Sequence, residues 1–173
     1  MIKHRRLPVF WAIALTGLIV PWLLPVPNQF VFTGTSSAQA TMSCAVTRVT
    51  DGDSVNLTCA GQQVRVRLYC IDAPEMDQGQ WGAQSRDYLR QLITPTVTLY
   101  AHDTDRYDRV IGEIIADGRN LNRALVQAGW AAEYPQYCRD RQYRADQSVA
   151  QEMGAGIWAV PGLHQRPWEW RRR

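Results

Sequence analysis

From residue 44 onward the apolar and polar positions fall into short alternating runs broken by turn residues, followed by stretches of helical spacing. The run "CAVTRVTDGDSVNLTC" (44–59) sets two β-branched segments around Asp51-Gly52, a strong short hairpin signal. In "QQVRVRLYCI" (62–71), Val64, Val66, Leu68 and Cys70 share one face while Arg65, Arg67 and Tyr69 share the other. That is a strand with one buried face. "TVTLYAHD" and "VIGEIIAD" predict two more strands, joined by a turn at "TDRYDR". Helical spacing then appears in "GAQSRDYLRQLI" through Tyr88, Leu89, Leu92 and Ile93, with Pro95 as its stop. It recurs in "NLNRALVQAG", where Leu121, Ala124, Leu125 and Ala128 form a stripe ended by Gly129. A third amphipathic stretch, "RDRQYRADQSVAQEMGAG", places Met153 and its aromatic neighbours in the core. Five strands in hairpin and meander order with three helices predict an α+β fold around a small β-barrel of the OB-fold kind.

The N-terminal part does not belong to this pattern. Lys3, His4, Arg5 and Arg6 precede the apolar run "LPVFWAIALTGLIVPWLLPV", and a polar stretch ends in Ala38-Gln39-Ala40. This is the layout of a signal peptide over residues 1–40, with residues 7–26 serving as a membrane anchor if the leader is not cut. The expected location is therefore outside the cytoplasm, secreted or periplasmic. Three of the nineteen basic residues lie in this leader, so sixteen arginines balance sixteen acids in the rest. Bulk charge gives no reason to expect nucleic-acid binding, and any grip on phosphate must come from local placement of arginine. Residues 41–160 make one domain, and 161–173 a basic, aromatic C-terminal tail whose "RPWEWRRR" run is expected to be solvated.

Cys44, Cys59, Cys70 and Cys138 all lie in the exported part, where disulfides persist. If Asp51-Gly52 is a two-residue loop, Cys44 falls opposite Cys59 and Val46 beside Leu57. A three-residue loop would shift the register and spoil this pairing. Cys70–Cys138 then follows by elimination. Neither a C-x-x-C spacing nor a nearby histidine pair supports a zinc site, and no spacing suggests a nucleophilic triad. His102 and His164 are expected to be structural or solvated.

Four acids stand near turns: Asp51, Asp53, Asp72 and Glu75. Asp51 suits the turn itself. Carboxylates at two turns of one barrel end could instead hold a hard cation through oxygen. Arg67 precedes Asp72 on the polar face of its strand, and Arg109 closes "DRYDR". Guanidinium forks stabilise charge on a phosphorus under attack, and a carboxylate such as Glu75 can take the proton of attacking water. Together these are the parts of a phosphodiesterase.

The ordered set "DGDSV", "RVRLYCIDAPE", "QWGAQS", "DRYDRVIGEI", "LNRALVQAGWA" and "GIW" resembles the staphylococcal-nuclease-like (thermonuclease) family over residues 44 to 158. The resemblance implies a five-stranded OB barrel with three helices, and a calcium-dependent nuclease acting on DNA and RNA to leave 3′-phosphate ends. It implies that Asp53, Asp72 and the Ala73 carbonyl hold calcium, that Glu75 is the general base, and that Arg67 and Arg109 bind the phosphate. Arg106 and Tyr107 match substrate-contacting positions, while Tyr134 and Tyr137 loosely match the base-stacking tyrosines. Single strands are the expected substrate, no protein partner is implied, and a monomer is expected. One departure is Asp108, where the family has glycine; its carboxylate is expected to pair with Arg109 and restrain it. The rival reading is an OB-fold module that binds nucleic acid without turnover.

Overall fold

The computed structural model describes residues 40–173. The leader, its cleavage site and the anchor over residues 7–26 lie outside the described residues. Among the described residues no helix is long and apolar enough to cross a membrane. Five strands form the barrel: β1 (Ala40–Val49), β2 (Ser54–Cys59), β3 (Gln62–Leu68), β4 (Thr96–Thr104) and β5 (Val110–Ala116). Neighbours pair antiparallel in the order β3-β2-β1-β4-β5, and a parallel contact closes the ring at Val66↔Val110, Arg67↔Ile111 and Leu68↔Gly112. The predicted alternation holds on β3, where Val66 and Leu68 face a core shared with Val55, Leu57, Leu99 and Ile114.

The β1–β2 hairpin pairs Cys44 with Cys59 and Val46 with Leu57, as expected, but by a different route. The loop has three residues, Asp51 to Asp53, with Val49 opposite Val55 and the Thr50 N–H donating to Ser54 O. A bulge at Thr47 inserts one residue into β1 and restores the register beyond it. The loop is thus one residue longer than a two-residue hairpin, and the bulge offsets it. Both disulfides form, Cys44–Cys59 and Cys70–Cys138, so all four sulfurs are taken up.

Three helices pack on the barrel: α1 (Gln80–Leu92), α2 (Leu121–Gln127) and α3 (Arg141–Glu152). Asn120 and Asp140 cap α2 and α3, their side chains accepting from Arg123 N and Gln142 N. Tyr143 is fully buried, but Met153 is not. Helix α3 ends at Glu152, and the chain reverses through Gly154 at φ +60°, which turns Met153 into solvent.

The solvated tail was also misread. Leu163–Gln165 and Pro167–Trp170 form helical turns, and His164 is buried with its ring stacked on Trp81. Tryptophan in water forfeits a large apolar burial, so "PWEW" folds back against the domain.

Candidate active site

Strand β3 stops at Leu68 rather than running to Ile71. Cys70 takes a left-handed backbone (φ +66°), which redirects the chain into Ile71–Asp72. This turn is held by long-range contacts. Tyr69 N–H donates to Gly112 O (2.8 Å), and the buried Asn122 side chain donates to Tyr69 O (3.0 Å) and Gly112 O (3.1 Å). Ile71–Asp72 then pairs with Ala132–Glu133 as a short antiparallel ladder. Asp72 is thereby fixed at zero exposure.

Asp53 comes from the β1–β2 loop. Its Oδ2 accepts the Ala73 N–H at 2.6 Å and its Oδ1 accepts from the Ser54 hydroxyl at 3.1 Å. Asp51 serves the turn, its Oδ1 accepting the Asp53 N–H at 3.0 Å, and burial raises its pKa against the pull of Ser54 and Arg67. Arg67 joins the two acids: Nη1 pairs with Asp53 and Nη2 with Asp72. Burial lowers its pKa against the opposing pull of Asp72 and Asp51. Glu75 is set by the next turn, where its N–H donates to the Gln78 side-chain oxygen at 2.7 Å and its carbonyl accepts Gln78 N–H at 2.9 Å.

Helix α1 brings these two acidic loops together. A Cβ on Gly52 would overlap Ser85 Oγ on α1 and lie 2.7 Å from Ala73 Cβ. A Cβ on Gly82, within α1, would overlap Glu75 O and lie 2.8 Å from Met76 Cα. Only glycine permits either approach.

The opposite wall is the β4–β5 turn. Asp105 Oδ1 accepts the N–H groups of Tyr107 (2.9 Å) and Arg109 (3.0 Å), while its Oδ2 binds Arg109 Nε (2.9 Å) and Nη2 (2.8 Å). Slight burial would raise the Asp105 pKa, but these bonds outweigh it and hold the carboxyl below its ordinary range. Asp108 has φ +57°, the conformation its glycine-like position demands, yet makes no ion pair with Arg109. The restraint expected of Asp108 belongs to Asp105. Arg106 donates to the Tyr107 hydroxyl at 2.7 Å, and Tyr107 is exposed. At the third edge, Tyr134 and Tyr137 meet edge-on at 4.8 Å, with Tyr134 N–H donating to Cys70 O (2.9 Å). The Cys70–Cys138 disulfide thus ties this aromatic loop to the turn before Asp72.

Asp53, Arg67, Glu75, Arg109, Tyr107 and Tyr134 line one open cleft of about 820 Å³, and Asp72 is buried beside it, paired to Arg67. Residues 65–160 match the family model described as Staphylococcal nuclease homologue. The chain belongs to the staphylococcal nuclease family. Curated relatives extend the match across this nuclease-family domain. An uncharacterized endonuclease of Escherichia coli is 39% identical over 136 residues, covering 74% of this chain and 84% of that protein. The micrococcal nuclease of Shigella flexneri is 34% identical over 139 residues, covering 73% and 79%. An uncharacterized endonuclease of Haemophilus influenzae is 35% identical over 133 residues, covering 76% and 74%.

Within this family member, the donor set suits a hard cation. Asp53 and Asp72 sit on the two amino groups of one guanidinium, and the Ala73 N–H donates to Asp53. Among the described residues no group of three or more His, Cys, Asp or Glu side chains forms a metal cluster. Asp53, Asp72 and the Ala73 carbonyl are the hard oxygen groups that could hold such an ion, with water completing the shell. Sequence reading missed Asp105, Gln78, Asn122 and Arg171. Asp105 had a signal in its place at the head of "DRYDR"; a buried asparagine on an apolar helix stripe had none.

Proposed function

We propose that this protein is an exported, calcium-dependent endonuclease that hydrolyses DNA and RNA and leaves 3′-phosphate ends. The observation that carries the reading is the convergence of Asp53, Glu75, Arg67 and Arg109 on one cleft, with the buried Asp72 paired to Arg67 beside it. Asp53, Asp72 and the Ala73 carbonyl would hold calcium, which when bound supplies positive charge against the phosphoryl oxygens. Glu75, the more exposed of the acids, takes the proton of the attacking water. Water oxygen bonds to phosphorus as the bond to the 5′ oxygen breaks. The leaving 5′ oxygen takes up a proton from solvent, and the phosphate stays on the 3′ side. Arg67 and Arg109 grip the non-bridging oxygens as charge builds. Arg109 must leave Asp105 in part to do so.

Arg106, Tyr107, Tyr134 and Tyr137 would hold flanking nucleotides by charge and stacking, which suits single strands and ignores sequence. The balanced charge of residues 41–173 makes binding depend on this local site, with a monomer as the working unit. Two formed disulfides support an oxidising compartment and hence export.

The test is cleavage of single-stranded DNA by the oxidised protein in calcium, in chelator, and with Glu75→Gln. Loss of about 10²–10⁴-fold in the variant, with calcium binding retained, is expected for a general base. Turnover unchanged in the variant would remove Glu75 from that role.

A further inference from the structure

Residues 163–173 dock beside the cleft that the proposed reaction needs, and Arg171 enters it. The segment is anchored at His164, whose Nε2 lies 3.0 Å from Ile157 O and 3.1 Å from Val160 O, and at the buried Pro167. Trp170 Nε1 donates to Asp77 Oδ1 at 3.0 Å, in the turn that carries Glu75. Beyond these anchors two side chains reach functional positions. Trp168 lies parallel to Tyr134, with centroids 5.4 Å apart and planes 9° apart. Arg171 donates from Nη1 to Asp72 Oδ1 (3.1 Å) and Glu75 Oε1 (2.5 Å), and from Nη2 to Asp72 Oδ2 (2.9 Å).

These contacts are more than a surface ion pair. An exposed pair of Lys or Arg with a carboxylate contributes little, but Asp72 is fully buried and receives a two-pronged guanidinium. A guanidinium is charged throughout the ordinary pH range. With Arg67 on Oδ1 as well, both Asp72 oxygens are engaged by arginine. The tail therefore presents a cation to the acids and a flat ring to the stacking tyrosine.

We infer that residues 163–173 form an intramolecular plug. Arg171 occupies the cation position at Asp72 and Glu75, and Trp168 a nucleobase position on Tyr134. A divalent cation and a single strand must displace the tail to bind. The inference rests on the calcium-dependent nuclease reading above. Arg171 and a metal ion compete for the same Asp72 oxygens, and their like charges oppose joint occupancy. Arg171 also occupies the Glu75 Oε1 that an attacking water would approach. The plugged state is thus inactive, and apparent affinities fall by the fraction of molecules left open.

The test measures calcium binding by calorimetry, without substrate, on the oxidised protein and on Arg171→Ala, Arg171→Lys and Trp168→Ala. If the tail is docked in about nine molecules of ten, Arg171→Ala tightens calcium binding about tenfold. Arg171→Lys keeps the charge but loses the fork. It should tighten binding by a smaller factor, which a through-space charge effect alone would not give. Trp168→Ala should move calcium affinity in the same direction and tighten a short single-stranded DNA measured in chelator. Thermal melts of the variants check that each is folded. Equal or weaker calcium binding in folded Arg171→Ala overturns the plug while leaving the calcium site intact. Absence of calcium binding in every form, including the parent, overturns the calcium reading and the plug with it.

Discussion

The two walls of the cleft are built in opposite ways. The acidic wall is a product of the whole fold: Asp72 is fixed by a ladder to Ala132–Glu133 and by Asn122, and Asp53 by Ala73. Gly52 and Gly82 let helix α1 press both acidic loops into place. The basic wall is mainly a product of one turn, in which Asp105 collects the N–H groups of Tyr107 and Arg109 and the Arg109 guanidinium, with one long-range bond from Arg65 to Tyr107 O. One wall is buried and held from far along the chain; the other is mostly exposed and held locally. On the proposed reading this division lets the acidic wall fix a cation and lets Arg109 swing from Asp105 to a phosphate.

Disturbing the acidic wall should cost most. Gly82→Ala would ordinarily favour a helix by about 1 kcal/mol. Here the added Cβ meets the Glu75 backbone, so overpacking of about 1–3 kcal/mol should reverse the sign. Glu75 shifted by about 1 Å should also lose about 10²-fold in turnover. Thermal melting and cleavage rate check the two effects together. A variant that melts higher than the parent and cuts normally would show that Glu75 is not seated on α1. Gly52→Ala tests the other loop in the same way, with Asp53 displaced and calcium affinity as the added measurement.

The same division governs what the sequence made legible. The residues of both walls could be picked out because each needs a particular chemical type at a particular turn. What could not be picked out was what holds them. Asn122 lies in the helix stripe like any polar interruption, and nothing local tells that it reaches Tyr69, which is far away in sequence. The left-handed Cys70 was hidden because alternation from Val64 to Cys70 continues unbroken through the turn. The Cys44–Cys59 pairing came out right although the loop was misjudged, because the bulge at Thr47 lies in a β-branched run with no mark of its own. The docked tail was missed for a different reason. Its arginines were weighed as a charge run, while its tryptophans, which fix its position, were not weighed.

The basic wall should yield to smaller changes. Asp105→Ala removes the acceptor of two backbone N–H groups and frees Arg109, so the turn loses its shape; a loss of about tenfold or more in turnover is expected, equivalent to about 1.4 kcal/mol. Asp105→Asn keeps an oxygen for the backbone but drops the charge, and should lose less. The pair of variants separates holding the turn from holding the guanidinium. The acid limb of stability follows from the same group. The folded pKa of Asp105 lies below its ordinary value, so its contribution is complete above the unfolded pKa, about 3.9. It is lost as pH falls through the folded pKa. Melting temperature followed from pH 6 downward should therefore drop less steeply in Asp105→Asn than in the parent.

The smallest effect is expected at Asp108. Its φ of +57° is a conformation that glycine adopts without cost and aspartate tolerates better than most residues. Asp108→Gly relieves that strain but adds freedom to the unfolded chain, two terms that oppose each other within about 1 kcal/mol. The carboxylate faces solvent and does not pair with Arg109, so its removal leaves the Asp105–Arg109 bond in place. Turnover should stay within about twofold of the parent, a change well under 1 kcal/mol. A collapse of activity would mean that Asp108 acts on the substrate or the cation in the working state. The basic wall would then be more than a locally held turn, and the contrast with the acidic wall would have to be redrawn.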